Sequence, residues 1–153
     1  MVHRISWNEI DEEYIRKIVE IARSEDIDGF GLKSHPSQKR DLTTDTLTPS
    51  TLGSAMLVAR NEMVLCGLNL IKIILDAYSK ADNEKECTVN LIAHDGDKVQ
   101  KGAEIAEISG DACTIIRAER ILLNFIQHLS GIATLTAKYV EALGDSSSKL
   151  LDT

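Results

Sequence analysis

Cys113-Thr114-Ile115-Ile116-Arg117-Ala118-Glu119-Arg120-Ile121-Leu122-Leu123-Asn124-Phe125-Ile126-Gln127-His128-Leu129 sets Ile115, Ile116, Ala118, Ile121, Leu122, Phe125, Ile126 and Leu129 on one broad face at helical spacing. This is the strongest helix signal in the chain, and a face that wide needs a core to cover it. Ser130-Gly131 predicts an end or a kink. Beyond it, Ile132, Ala133, Leu135, Tyr139, Val140 and Leu143 resume the period, so a second helical stretch is expected as far as Gly144, followed by a loop over Asp145 to Ser148. Lys149-Leu150-Leu151-Asp152-Thr153 reads as a strand that stops abruptly, with neither a turn nor a neighbour after it. The sequence therefore looks like the front of something longer.

The same periodicity works outward to the N-terminus. After Ser6, with Glu9 three residues on as in a capping box, Ile10, Tyr14, Ile15, Ile18, Val19, Ile21 and Ala22 form an amphipathic helix that Ser24 to Gly29 should end. Lys33 to Arg40 is polar, holds Pro36 and has no apolar pattern, so it reads as a loop, one that groups Lys33, His35, Lys39 and Arg40. Ser54 to Arg60 and Met63 to Cys66 are short runs around Asn61-Glu62 that resemble a hairpin. Gly67 then opens a second helix with an apolar stripe of Leu68, Leu70, Ile71, Ile73, Ile74, Leu75 and Ala77, before an acidic turn from Lys80 to Glu86. Three strands follow, Thr88 to Ala93, Lys98-Val99 and Glu104 to Ile108, separated by the turn dipeptides Asp95-Gly96 and Lys101-Gly102. Mixed strands and helices with no linker between them predict one α+β unit up to about Ala112.

The chain has 153 residues, 43% of them hydrophobic, with a formal charge of -7. One domain of that length should bury roughly 69% of its unfolded surface, so a core is possible without disulfides or metal. The acidic balance argues against affinity built on nucleic-acid phosphates. Cys66, Cys87 and Cys113 are odd in number and lack paired spacing, which predicts a reduced chain. Without an N-terminal apolar stretch or a window of ~18 apolar residues, the expected location is the cytoplasm.

Candidate chemistry is sparse. His3, His35, His94 and His128 show no metal-ligand spacing, and His128 reads as a hydrogen-bonded core or surface histidine. Arg120 lies in the first half of a helix, where a positive charge opposes the helix dipole. Either Glu119 and solvent satisfy it or it serves an anion, and a guanidinium fork suits a planar carboxylate. His94 to Ile108 has the Gly-Asp-x-Val-x-x-Gly pattern of biotinyl and lipoyl carrier domains. Lys98 and Lys101 lie at turn-forming residues there, so the likeness is read as a shared barrel-sandwich solution rather than a shared function.

Ala118 to Thr136, followed by Tyr139-Val140 and Leu151-Asp152-Thr153, closely resembles the quinolinate phosphoribosyltransferase family, also called nicotinate-nucleotide pyrophosphorylase (carboxylating). Glu25-Asp26, Asp41-Leu42-Thr43-Thr44 and Asp95-Gly96-Asp97 with Gly102 resemble further stations of that family, so the likeness spans nearly the whole chain. The segment from Gly31 to Arg40 departs from the pattern as an insertion, and the family's Asp-Thr-Arg-Lys-Thr run is cut after Thr153.

The resemblance implies an α+β N-terminal lid and interface domain over residues 1–112, with barrel-sandwich-like strands packed with helices. Residues 113–153 would be the long helical segment and the first strand of an α/β barrel whose remainder is absent. It further implies phosphoribosyl transfer from phosphoribosyl pyrophosphate to quinolinate with decarboxylation, giving nicotinate mononucleotide, carbon dioxide and pyrophosphate in NAD biosynthesis, with Mg2+ and a homodimer that shares its active site. Arg120 matches the arginine that reaches a quinolinate carboxylate across the dimer interface, and Thr153 matches the first residue of the Thr-Arg-Lys substrate-binding run. The isolated 153-residue chain would be inactive. The alternatives are a ModD-like paralogue of the same fold, a non-catalytic biotinyl- or lipoyl-like module modified at Lys98 or Lys101, and a bare dimerisation module.

Overall fold

A computed structural model describes residues 5–34, 44, 51–82, 86–144 and 147–148. Its elements run α1 (Glu12–Asp28), β1 (Leu52–Val58), β2 (Met63–Val64), α2 (Leu70–Asp82), β3 (Thr88–Leu91), β4 (Lys98–Val99), β5 (Glu104–Asp111) and α3 (Ala112–Leu143), with one 3-10 turn at Trp7–Glu9 before α1. This is an α+β arrangement of three helices over two small antiparallel sheets.

Ser6 and Glu9 do pair, the Ser6 amide and hydroxyl both donating to Glu9 Oε2 at 2.8 and 2.9 Å, but they close the 3-10 turn rather than start the helix. The helix start belongs to Asp11, whose side chain accepts from the Glu13 amide at 2.9 Å. α1 then runs on through Ser24 to Asp28, past the point at Ser24 where the sequence predicts that it begins to end. It stops at Gly29 (φ 68°), where the Gly29 and Phe30 amides both donate to Ser24 O. Only glycine takes that left-handed turn without strain.

β5 is the centre of the larger sheet, pairing with β1 on one side and β3 on the other. Ala55 and Val89 both lie opposite Ile108. The hairpin expected between Ser54–Arg60 and Met63–Cys66 does not form: β1 joins β5, while β2 pairs with β4, Met63 opposite Val99. The cause lies at Ala59, which donates to Ala103 O at 2.9 Å and accepts from the Gly102 amide at 2.8 Å, so the chain leaves one sheet before it enters the other. At the far end of β5, a Cβ on Gly110 would stand 2.8 Å from the Cys87 Cα, so the two backbones cross where only glycine fits.

α2 begins at Leu70, later than expected from Gly67, because the segment before it is a turn: Leu68 donates to Asp95 Oδ1 at 2.9 Å and Leu70 to Gly67 O at 3.0 Å. It continues to Asp82, so Lys80 to Asp82 are helical rather than part of a turn, and residues 83–85 lie outside the described set. Its Ile71, Ile74, Leu75 and Tyr78 are all 1% exposed or less. They meet Val19 of α1, Ala106 and Ile108 of β5, and Ala118, Ile121, Leu122 and Ile126 of α3 in one core.

α3 is a single helix of 32 residues. Asp111, itself buried, caps it by accepting from the Thr114 amide at 3.0 Å. The expected break at Ser130-Gly131 is absent, for a reason that the two side chains around it supply. Ser130 Oγ accepts from the Cys66 amide at 3.0 Å and donates to Cys66 O at 3.3 Å, and Thr134 Oγ1 accepts from the Val64 amide at 2.9 Å. The Ser130 hydroxyl is thus bonded to the segment just after β2 and the Thr134 hydroxyl to β2 itself, and the helix continues past Gly131 without a break. Gly144 ends it, as the sequence predicts. The strand expected at Lys149 to Thr153 lies outside the described residues, as do His3 and the segment 35–43.

Candidate functional site

Three helices deliver one polar group to a common point. On α1, Asp26 falls on the line Ile15, Val19, Ala22, Asp26, which is the face turned to the core, and its side chain is 12% exposed. On α2, Tyr78 continues the buried stripe and is 1% exposed. On α3, Arg120 sits two residues after the fully buried Ala118, on the outward side, with 76% of its side chain exposed.

Asp26 joins the other two. Its Oδ1 accepts from Arg120 Nη1 at 3.1 Å, and its Oδ2 accepts from the Tyr78 hydroxyl at 3.4 Å. Burial first, then the Asp26 charge and the hydrogen bond to it, push the Tyr78 phenol well above its ordinary range, so the tyrosine stays a proton donor. The carboxylate is thus a bridge between a core tyrosine and an exposed arginine. A guanidinium has five N–H donors, and the contact to Asp26 engages Nη1. The remaining donors stand on an exposed side chain, and a guanidinium fork is the donor shape that matches a planar anion.

The sequence singled out Arg120 but offered Glu119 and solvent as its structural partners, where Asp26 is the partner found. Tyr78 only follows the apolar stripe of α2 and carries no sequence signal of its own. The legible signal was the acid on the apolar line of α1. Thr153, the second expected binding residue, lies outside the described residues. Of the Asp41–Thr44 station only Thr44 is described, and it is buried.

His128 is exposed beside Asn124, Phe125 and Gln127 in a shallow concavity of α3. Lys98 lies within β4 and pairs with Glu62 at 3.0 Å, which lowers the Glu62 pKa and raises that of the lysine. Lys101 is exposed at its turn. None of the three cysteines forms a disulfide. Among the described residues no three His, Cys, Asp or Glu side chains converge on a point, and no helix is long and apolar enough to cross a membrane.

The family model described as quinolinate phosphoribosyl transferase, N-terminal domain, matches residues 41–130. The probable nicotinate-nucleotide pyrophosphorylase [carboxylating] of Bacillus subtilis is 38% identical over 115 residues, which are 74% of this chain and 37% of the relative. A mitochondrial quinolinate phosphoribosyltransferase [decarboxylating] of Nicotiana tabacum is 32% identical over 129 residues, 84% of this chain and 33% of that protein. Among solved structures, the nicotinate-nucleotide pyrophosphorylase of Francisella tularensis superposes with a TM-score of 0.77 at 29% identity, covering 99% of this chain and 49% of that one. NadC of Streptococcus pyogenes gives 0.76 at 31% identity, over 94% of this chain and 47% of that one. The chain therefore spans about a third of the curated relatives that it matches and about half of the solved chains.

Proposed function

This chain belongs to the quinolinate phosphoribosyl transferase family through its N-terminal domain, and on that premise we propose that it forms the lid and interface half of a cytoplasmic transferase. The enzyme moves a phosphoribosyl group from phosphoribosyl pyrophosphate to the ring nitrogen of quinolinate and releases the 2-carboxylate, giving nicotinate mononucleotide, carbon dioxide and pyrophosphate for NAD synthesis. In this reading residues 1–112 make the lid, and residues 113–153 lead through α3 and a first strand into an α/β barrel. The active site is shared between two subunits of a homodimer, each lid closing on the partner's barrel.

The observation that carries the proposal is Arg120, exposed at a domain surface and tethered there by one nitrogen. Quinolinate is a dianion, and its transfer needs it held in line with the anomeric carbon while charge develops on the departing pyrophosphate. A guanidinium presented from a second subunit can hold one carboxylate through two parallel hydrogen bonds, which fixes both position and ring orientation. Thr153, from the start of the substrate-binding run, joins it in this reading. Magnesium accompanies phosphoribosyl pyrophosphate. Among the described residues no three His, Cys, Asp or Glu side chains converge as ligands for it.

The test is an assay of the polypeptide that carries this chain, purified from its own cell with every subunit that accompanies it. Pyrophosphate release that needs quinolinate, phosphoribosyl pyrophosphate and magnesium supports the proposal. Release with another base in place of quinolinate supports the ModD-like reading instead, and no release at all removes the transferase. In the active protein, Arg120→Ala is expected to cost about 2–4 kcal/mol in quinolinate use, as a carboxylate loses its fork, with phosphoribosyl pyrophosphate binding little changed. Equal losses for the two substrates would remove Arg120 from the carboxylate site.

A further inference from the structure

We propose that Asp26 and Tyr78 act as a positioning pair that keeps the Arg120 fork open toward a substrate carboxylate. This rests on the carboxylate-binding role given to Arg120 above and deepens it.

Two features of the geometry point here. First, Arg120 is a long side chain, 76% exposed, whose described polar contact is to a carboxylate that is 12% exposed and fixed on another helix. An unrestrained arginine at such a surface samples many rotamers, and each must be given up when an anion is gripped. Asp26 removes part of that freedom beforehand by holding Nη1. Second, a free carboxylate beside a guanidinium tends to chelate it with both oxygens, which would occupy the fork. Asp26 does not, because its Oδ2 accepts from Tyr78 while its Oδ1 accepts from Arg120. Tyr78 is 1% exposed and packed in the core, so it cannot follow the carboxylate outward. Its phenol, raised by burial and by Asp26 itself, remains protonated and keeps donating. The tyrosine thus commits one oxygen, the other oxygen anchors one nitrogen, and the rest of the fork is left for the ligand.

The two substitutions should then fail in different ways. Asp26→Asn loses the charged anchor, so Arg120 becomes mobile. Tyr78→Phe frees Oδ2, so Asp26 can close on both nitrogens and compete with the substrate. In the purified complete protein, Asp26→Asn is expected to raise the quinolinate KM about tenfold or more, the scale of one weakened hydrogen bond to a charged group. The KM for phosphoribosyl pyrophosphate should be unchanged. Tyr78→Phe should raise the quinolinate KM as well, but should add nothing in the Asp26→Asn background, where no carboxylate remains to compete. Inhibition by benzene-1,2-dicarboxylate, a dianion without the reacting nitrogen, should weaken in parallel, which reads binding apart from turnover.

Several results would overturn the pair. One is an Asp26→Asn protein that is Arg120-dependent yet keeps its quinolinate KM and its inhibition by the dicarboxylate. Another is equal damage to both substrates, which marks a merely structural role. A third is a Tyr78→Phe effect that persists undiminished without the Asp26 charge. If Asp26→Asn lowers the folded fraction, Asp26→Glu tests the anchor by position instead of charge: the displaced carboxylate should still raise the quinolinate KM and leave that for phosphoribosyl pyrophosphate unchanged, and an unaltered quinolinate KM would overturn the pair. Loss of quinolinate dependence in the unsubstituted protein would overturn the function itself, so the two failures are told apart.

Discussion

α3 contains two halves that the sequence writes in the same hand and the structure treats differently. Up to Ser130, its Ala118, Ile121, Leu122 and Ile126 lie within the core, none more than 8% exposed. From Gly131 on, Ile132, Leu135, Tyr139 and Val140 repeat apolar spacing on the same continuous helix, yet each is more than half exposed. Spacing therefore tells that a face is apolar, and only the surrounding elements decide whether it is covered. The first half has α2 and the sheets against it, while the second reaches the domain through Thr134, which holds the Val64 amide of β2.

The contrast is most sharply broken at Leu122, which is 5% exposed in the core. Leu122→Ala is expected to cost about 2–5 kcal/mol, from lost burial and the cavity left behind. Denaturant unfolding of the purified chain measures it, and a cost near zero would mean that the first half of α3 is not packed as described. Next in size is the joint between the halves. Ser130→Ala removes the acceptor of the Cys66 amide and the donor to its carbonyl, both partly buried. The expected cost is about 1–3 kcal/mol, with hydrogen exchange at Cys66 and Val64 speeding up first. Unchanged exchange there would show that the Ser130 hydroxyl does not hold this joint, with Thr134 left as the tie to Val64.

A smaller effect tests the core side of the same helix packing through pH. The Tyr78 phenol ionises higher in the folded chain than in the unfolded one, where a tyrosine titrates near about pH 10. Above that value the unfolded chain sheds a proton that the folded chain keeps. The unfolded state is then favoured, and stability falls as pH rises toward the folded value. Unfolding midpoints of the parent chain should drop across this alkaline window more steeply than those of Tyr78→Phe. Parallel curves would mean that the phenol is not held by burial and Asp26.

How far these features could be read beforehand depended on whether the cause was local. The long helix, β4, the turns at Gly96 and Gly102 and the C-terminal stop at Gly144 follow from spacing and turn chemistry close in sequence. The pairing of β1 with β5 could not be read that way, because Ala59 turns the chain toward Ala103, 44 residues on, in place of the adjacent β2. Ser130 looked like a helix stop for the same reason: its partner is Cys66, 64 residues earlier. At the candidate site, Arg120 was visible by resemblance, whereas its tether to Asp26 spans 94 residues. Both polar residues shared one unused clue. Asp26 follows Ile15, Val19 and Ala22 on the apolar line of α1, and Ser130 follows Ile126 on that of α3, and a polar group on a buried face has a hydrogen-bond partner.

The smallest effect carries the comparison to its end. Leu135 has the same side chain as Leu122 and the same helix beneath it, but is 55% exposed. In this chain Leu135→Ala should change stability by no more than about 0.5 kcal/mol, the range of ordinary surface substitutions. Alanine is also the better helix former, which offsets part of the little burial lost. If unfolding instead shows a cost close to that of Leu122→Ala, the second half of α3 is covered in solution. Repeating the measurement over a range of protein concentrations then separates two cases. A cost that grows with concentration places the cover on another copy, and a constant cost places it within the same chain. The difference between two leucines 13 residues apart on one helix thus reads directly how much of this surface water reaches.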